Sequence, residues 1–130
     1  MNVIDSSGWL EYFADGPNAD FFAAAIEATS ELIVPTISVF EVFKRILLQR
    51  SESEALQAAA VMMRGRVVDL DAQLALTTAR VSATLSIPMA DSIILATARA
   101  FAATTWSQDE HFEHLEGVEY IAKQPRNKQA

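Results

Sequence analysis

The stretch Val3-Ile4-Asp5-Ser6-Ser7 restricts this chain more than any other. Two β-branched apolar residues suit a buried strand. Asp5 places a carboxylate where the apolar run stops, and Ser6 or Ser7 can cap a helix running through Gly8-Trp9-Leu10. A short strand, an acid at its carboxyl end and a helix start together describe one edge of an open α/β site. Ligands in such folds lie outside the carboxyl ends of the strands. Taken alone, Asp5 is equally well explained as a helix cap.

The pattern recurs down the chain. Glu31-Leu32-Ile33-Val34-Pro35 reads as a strand buried on both faces. A helix follows from about Ser38 to Arg50, with Phe40, Phe43, Ile46 and Leu47 at helical spacing. Glu41 lies in its first turn, where a capping box with Ser38 would also explain it. A further helix over 52–64 is expected to bury Leu56, Ala59, Ala60 and Met63. With Leu47 and Leu48 it would form an apolar hairpin suited to subunit contacts or to core packing. Arg66 to Leu70 reads as a third strand, and Asp69 or Asp71 as the cap of a helix over 72–85. Pro88 opens the next helix, where Asp91 complements the helix dipole. Ala103 to Trp106 and Val118 to Ile121 complete five strands, with the capping pattern Ser107-Gln108-Asp109-Glu110 between them. Phe21 and Phe22 read as core.

Alternating strands and helices over 130 residues predict one α/β domain. We assign it to residues 1–122 and expect a disordered polar tail over 123–130. No apolar run reaches the length of a membrane span. The N-terminus lacks a basic region with a cleavage site, and there is no cysteine, so a cytoplasmic protein is the expectation. The formal charge of −7 argues against a polyanionic partner. Lys123, Arg126 and Lys128 are three of the ten basic residues and all 17 acidic residues precede them, leaving residues 1–122 at −10. A domain that acidic needs a divalent cation to take a nucleic acid, or else prefers a basic protein partner.

Asp5 and Asp109 follow strands, Glu41 lies just after another, and Asp91 sits at a helix start. In a doubly wound sheet these positions share one edge. Four carboxylates brought together raise one another's proton affinity, which a divalent cation relieves. All-oxygen ligation suits Mg²⁺ or Mn²⁺. His111 and His114 are expected on a solvated surface helix, which together with the lack of cysteine disfavours zinc. Such an ion suits phosphodiester hydrolysis by activated water, and no catalytic triad or P-loop is present.

Four segments carry a family resemblance: Val3-Ile4-Asp5-Ser6-Ser7, Ile37-Ser38-Val39-Phe40-Glu41, Ile87-Pro88-Met89-Ala90-Asp91-Ser92 leading into Ala96-Thr97-Ala98, and Trp106-Ser107-Gln108-Asp109-Glu110-His111-Phe112. In this order they resemble PIN-domain ribonucleases, and more narrowly the VapC-type toxins of bacterial and archaeal toxin–antitoxin pairs. The resemblance implies a three-layer fold with a central, mainly parallel sheet of four to five strands flanked by helices. It implies Mg²⁺-dependent endoribonuclease activity with Asp5, Glu41, Asp91 and Asp109 as catalytic acids, and Asp5, Asp91 and Asp109 at the metal. Ser6 falls where a small polar residue contacts the site, and Ser107 falls where the family usually has Thr. An RNA substrate, a cognate antitoxin and a homodimer are implied with it. An antitoxin helix would lie around Trp9, Phe13, Phe43 and Leu47 and present an arginine to the acids. Two other readings are a PIN fold used as a non-catalytic scaffold and a receiver-like phosphoacceptor. The second would want two adjacent acids after its first strand and a lysine after its last.

Overall fold

The computed structural model describes residues 1–125. Its element order is β1 (Asn2–Ile4), α1 (Ser6–Phe13), α2 (Ala19–Glu27), β2 (Leu32–Pro35), α3 (Thr36–Gln49), α4 (Glu52–Met62), β3 (Arg66–Val68), α5 (Ala72–Leu85), α6 (Met89–Ala100), β4 (Thr104–Ser107) and β5 (Val118–Tyr120). The strands form one parallel sheet in the order β3-β2-β1-β4-β5. After β1 the chain steps outward to β2 and β3, then returns to the other side of β1 for β4 and β5. The direction of winding therefore reverses between β1 and β4, and the carboxyl ends of those two strands flank a crevice.

Successive residues of a strand face opposite ways, so each inner strand feeds two cores. Ile4, Leu32 and Val34 pack with Trp9, Phe22, Val42 and Met62 beneath α1 to α4. Val3 and Ile33 pack with Ile94, Leu95 and Phe112 on the other side, where α5 and α6 lie. Continuous apolar strands such as Leu32-Ile33-Val34 are what a sheet covered on both faces requires. Gly8 lets α1 settle on the sheet, because a Cβ there would stand 2.7 Å from both Ile4 and the Phe22 ring.

Several local expectations are corrected. α3 starts at Thr36 behind Pro35, so Ser38 is no cap and its hydroxyl is buried without a hydrogen-bond partner. The buried residues of α3 are Ser38, Val42 and Ile46, while Phe40 is 59% exposed. α4 is turned relative to expectation: Ala55, Ala58, Ala59 and Met62 face inward, and Leu56 and Met63 face out. Small alanines allow α4 to lie close to its neighbours, which leaves its bulky side chains outside. Trp9 is wholly buried, so it lines no groove for a partner helix. Phe22 is core as expected, and Phe21 stacks edge-on against Trp106. Asp71, rather than Asp69, caps α5 through the Leu74 amide.

No single helix among the described residues is long and apolar enough to cross a membrane. Of the tail expected over 123–130, Lys123 to Pro125 are described as irregular chain, and residues 126–130 lie outside the described residues.

Candidate active site

The acids reach the crevice because the elements that carry them end or begin there. Asp5 is both the last residue before α1 and its N-cap, accepting from the Gly8 amide at 2.9 Å. Its carboxylate also accepts from Ser7 Oγ, at 2.8 and 2.9 Å to its two oxygens, and from Ser107 Oγ at 2.8 Å. Asp5 is only 2% exposed. Burial outweighs these donors and, with Asp109 nearby, pushes its carboxyl up from 3.8 to about 7. The helix-cap explanation of Asp5 is borne out, and the same carboxylate also lines the cleft.

The two serines of α1 serve different acids. Ser7 holds Asp5, and Ser6 Oγ donates to Glu41 Oε1 at 2.6 Å. Glu41 thus answers a side chain across the crevice, not a capping partner on its own helix. Asp91, in the first turn of α6, is raised from 3.8 to about 6, chiefly by burial and then by Asp109, with Glu41 adding a smaller push. Ser107 joins the deeper acid to the outer ones. Its hydroxyl donates to Asp5 and accepts from the Asp109 amide at 2.9 Å. Asp109 in turn caps a single 3-10 turn, Glu110–Phe112, through the His111 amide. The expected box of Ser107 and Glu110 does not form, because Ser107 is occupied with Asp5.

Asp5, Glu41, Asp91 and Asp109 all line one open cleft, with Ser6 beside them. The tightest cluster is Asp91, Asp109 and His111, whose ligand atoms lie within 4.8 Å of one another. His111 Nδ1 stands 3.0 Å from Asp91 Oδ2 and 3.1 Å from Asp109 Oδ1. His111 is exposed as expected, with its side chain half accessible, yet its ring also turns back onto the acids. His114 points outward, with its side chain 90% exposed. Ser7 was likewise no candidate from sequence. Its signal was its place two residues after a strand-end acid. For His111 the signal was the spacing Asp109-x-His111, which a 3-10 turn brings onto one side.

The donor set fits a hard divalent cation. Two partly exposed carboxylates, Asp91 and Asp109, already crowd around one ring nitrogen of His111. A third acid sits behind them with a proton affinity that a nearby cation would lower. The outer wall carries Arg45, Arg50 and Lys123, of which Arg50 is paired with Glu54.

A family profile for the PIN domain matches residues 3–118. No curated protein matches the sequence. Among solved structures, a toxin–antitoxin complex from Klebsiella pneumoniae shares the fold with a TM-score of 0.75 at 18% identity, over 92% of this chain and 96% of that one. DNA-bound VapBC from Salmonella typhimurium gives 0.71 at 17% identity, over 94% and 97%. VapC20 of Mycobacterium tuberculosis, described as a sarcin–ricin-loop-cleaving toxin, gives 0.67 at 16% identity, over 86% and 92%. At these identities the likeness is one of fold. The match over residues 3–118 goes further, and by it the chain belongs to the PIN domain family.

Proposed function

We propose that this chain is a metal-dependent endoribonuclease and the toxin of a toxin–antitoxin pair. The observation that carries the reading is the convergence of Asp5, Glu41, Asp91 and Asp109 on one cleft at the switch point of the sheet. Two of these carboxyls, Asp5 and Asp91, are held well above their ordinary range by burial and by the nearby charge of Asp109. Asp5, Asp91 and Asp109 would hold Mg²⁺ or Mn²⁺. When bound, such an ion polarises a phosphate oxygen and makes water a competent nucleophile at neutral pH. The protein's own part is placement. Ser7, Gly8 and Ser107 fix the Asp5 carboxylate from three sides, and Ser107 fixes Asp109 through its amide. Ser6 keeps Glu41 turned toward the cleft, where it can orient water or a phosphate-bearing strand. His111 shares two carboxylate oxygens with the proposed ion site and competes for them.

The partner reading rests on the same charge. An acidic cleft in a domain at −10 attracts a basic side chain, and an arginine can pair with two carboxylates at once. The structural neighbours from Klebsiella and Salmonella are themselves toxin–antitoxin assemblies. Phe40, Leu47, Leu48, Leu56 and Met63 give α3 and α4 exposed apolar side chains suited to an antitoxin or to a second copy in a homodimer. A cytoplasmic location accords with this role.

Purified protein, incubated with RNA and Mg²⁺ or Mn²⁺, is expected to cleave it, and excess chelator to stop cleavage. Undiminished cleavage in chelator would overturn the metal mechanism. Absence of cleavage under all metal conditions, with a folded protein, would overturn the enzyme reading. Coexpression with the small protein of an adjoining reading frame is expected to relieve growth arrest caused by this chain.

A further inference from the structure

Beyond Asp109 a second cleft adjoins the first. It is lined by Ser7, Gln108, Asp109, Glu110, Tyr120, Ala122 and Lys123, and shares Ser7, Gln108, Asp109 and Lys123 with the acidic cleft. Lys123 therefore stands where the two meet. It makes no ion pair among the described residues, although acids lie on both sides.

Its position is built. The Ile121 amide donates to Ser107 O at 3.1 Å, so the segment continues alongside the strand that carries the site. The two chain neighbours of Lys123 are both tied to one buried side chain. Asn18 Nδ2 donates to Ala122 O at 3.1 Å, and Gln124 Nε2 donates to Asn18 Oδ1 at 3.1 Å. Asn18 is itself held, its side chain donating to Gln108 Oε1 at 2.9 Å and its amide to Glu11 Oε2 at 2.7 Å. Glu11 is buried, and Gly16 packs on it so closely that a Cβ there would lie 2.5 Å from the carboxylate. A surface lysine needs no such clasp beneath it. Tyr120, three residues earlier, adds a half-buried aromatic ring to the second cleft.

We infer that the second cleft is a subsite for the nucleotide next to the cleaved bond, in which Lys123 takes its backbone phosphate and Tyr120 stacks on its base. The inference rests on the ribonuclease reading and adds which side chains bind the flanking strand. An ammonium at the junction offsets the acids that would otherwise repel a polyanion. A π-face gives sequence-tolerant affinity for a base. Both groups act on binding, so both belong in KM and not in kcat.

The test is steady-state cleavage of single-stranded RNA by the full chain with Mg²⁺, over a range of salt. K123Q is expected to raise KM severalfold and to flatten the salt dependence of kcat/KM by about 0.7 in log–log slope, the share of one phosphate contact on a single strand. K123R should restore both. Y120L should raise KM about fivefold or more with an unchanged salt slope, and Y120F should behave as wild type. K44Q, which removes a like charge from Lys44 over Phe40 on the outer face of α3, is the control for net charge. A K123Q effect no larger than that of K44Q would overturn the lysine's role. A fall in kcat alone for K123Q or Y120L would overturn the subsite. These outcomes require an active wild type, so an inactive wild type counts against the enzyme reading, and normal K123Q and Y120L in an active background count only against the subsite.

Discussion

Helix α1 has a buried carboxylate at each end, and the two are handled in opposite ways. Glu11, near its last turn, accepts from the Asn18 amide and from Gln108 Nε2, and belongs to a network that closes on itself with Asn18 and Gln124. Asp5, at its first turn, has more donors than Glu11 but faces Asp109 and a cleft. Its carboxyl is still pushed up to about 7. Hydrogen bonds alone therefore do not offset burial at Asp5, which is the deficit that the proposed cation would fill. A buried acid that the protein satisfies by itself is architecture; one left in deficit is a request for a ligand.

The comparison is broken most sharply by neutralising each acid. Asp5→Asn keeps the shape and removes the charge. Cleavage should fall by on the order of 10²-fold or more, about 3 kcal/mol of transition-state stabilisation. Glu11→Gln should retain activity within about tenfold: Glu11 also borders the cleft, but its hydrogen bonds go to Asn18 and Gln108 and none to the other acids. Comparable losses in the two variants, measured as kcat/KM on the same RNA, would erase the distinction.

Stability against pH provides the next separation. A carboxyl whose folded value lies above its unfolded value binds its proton more tightly in the folded state. Its stabilisation is thus complete below about 4 and is lost as pH rises through about 7. In chelator, wild type should lose about 2–3 kcal/mol between pH 5 and pH 8 through Asp5. Asp91, raised to about 6, acts in the same direction. Asp5→Asn should flatten that slope and leave the metal-free protein more stable than wild type at pH 8. Urea unfolding at the two pH values decides the matter; a slope that survives the substitution would place its origin elsewhere.

Glu11 gives the opposite sign. Glu11→Ala strands the Asn18 amide and Gln108 Nε2, and should cost about 1–3 kcal/mol. Thermal melts would show it, and a variant as stable as wild type would mean that water takes the carboxylate's place at no cost. The smallest effect concerns Ser6. Ser6→Ala frees Glu41 without removing its charge, so cleavage should drop about tenfold, near 1.4 kcal/mol, with stability nearly unchanged.

The sequence was most readable where chemistry and fold coincide. Asp5, Asp91 and Asp109 are legible because each follows an apolar strand or opens a helix, and parallel winding sends those positions to one edge. Glu41 is expected in the first turn of its helix, but α3 begins at Thr36, so it lies in the second turn. His111 and the Glu11 network were not legible. The network depends on partners about a hundred residues away and His111 on a single 3-10 turn, and no local pattern encodes either. The inner face of α4 misled for another reason. Leu56 and Met63 are the bulkiest residues there, and bulk suggested burial, but close packing selected the alanines. The capping box at Ser38 and Glu41 failed because the helix is already capped at Pro35, three residues before the serine.

The central strand has one more consequence, and it concerns synthesis. β1 is made first, yet Asp5 meets Ser107 102 positions later, and Trp106 Nε1 closes on Asn2 across 104. Pairing β1 with β2 is possible early, but the other wall of the crevice does not exist until β4 has left the ribosome and inserted beside it. Contacts at such separation form late in folding. A nascent chain therefore carries Asp5 and Glu41 for most of its translation without a complete site. The proposed ribonuclease could thus not act on the message still being read until β4 has emerged and joined β1.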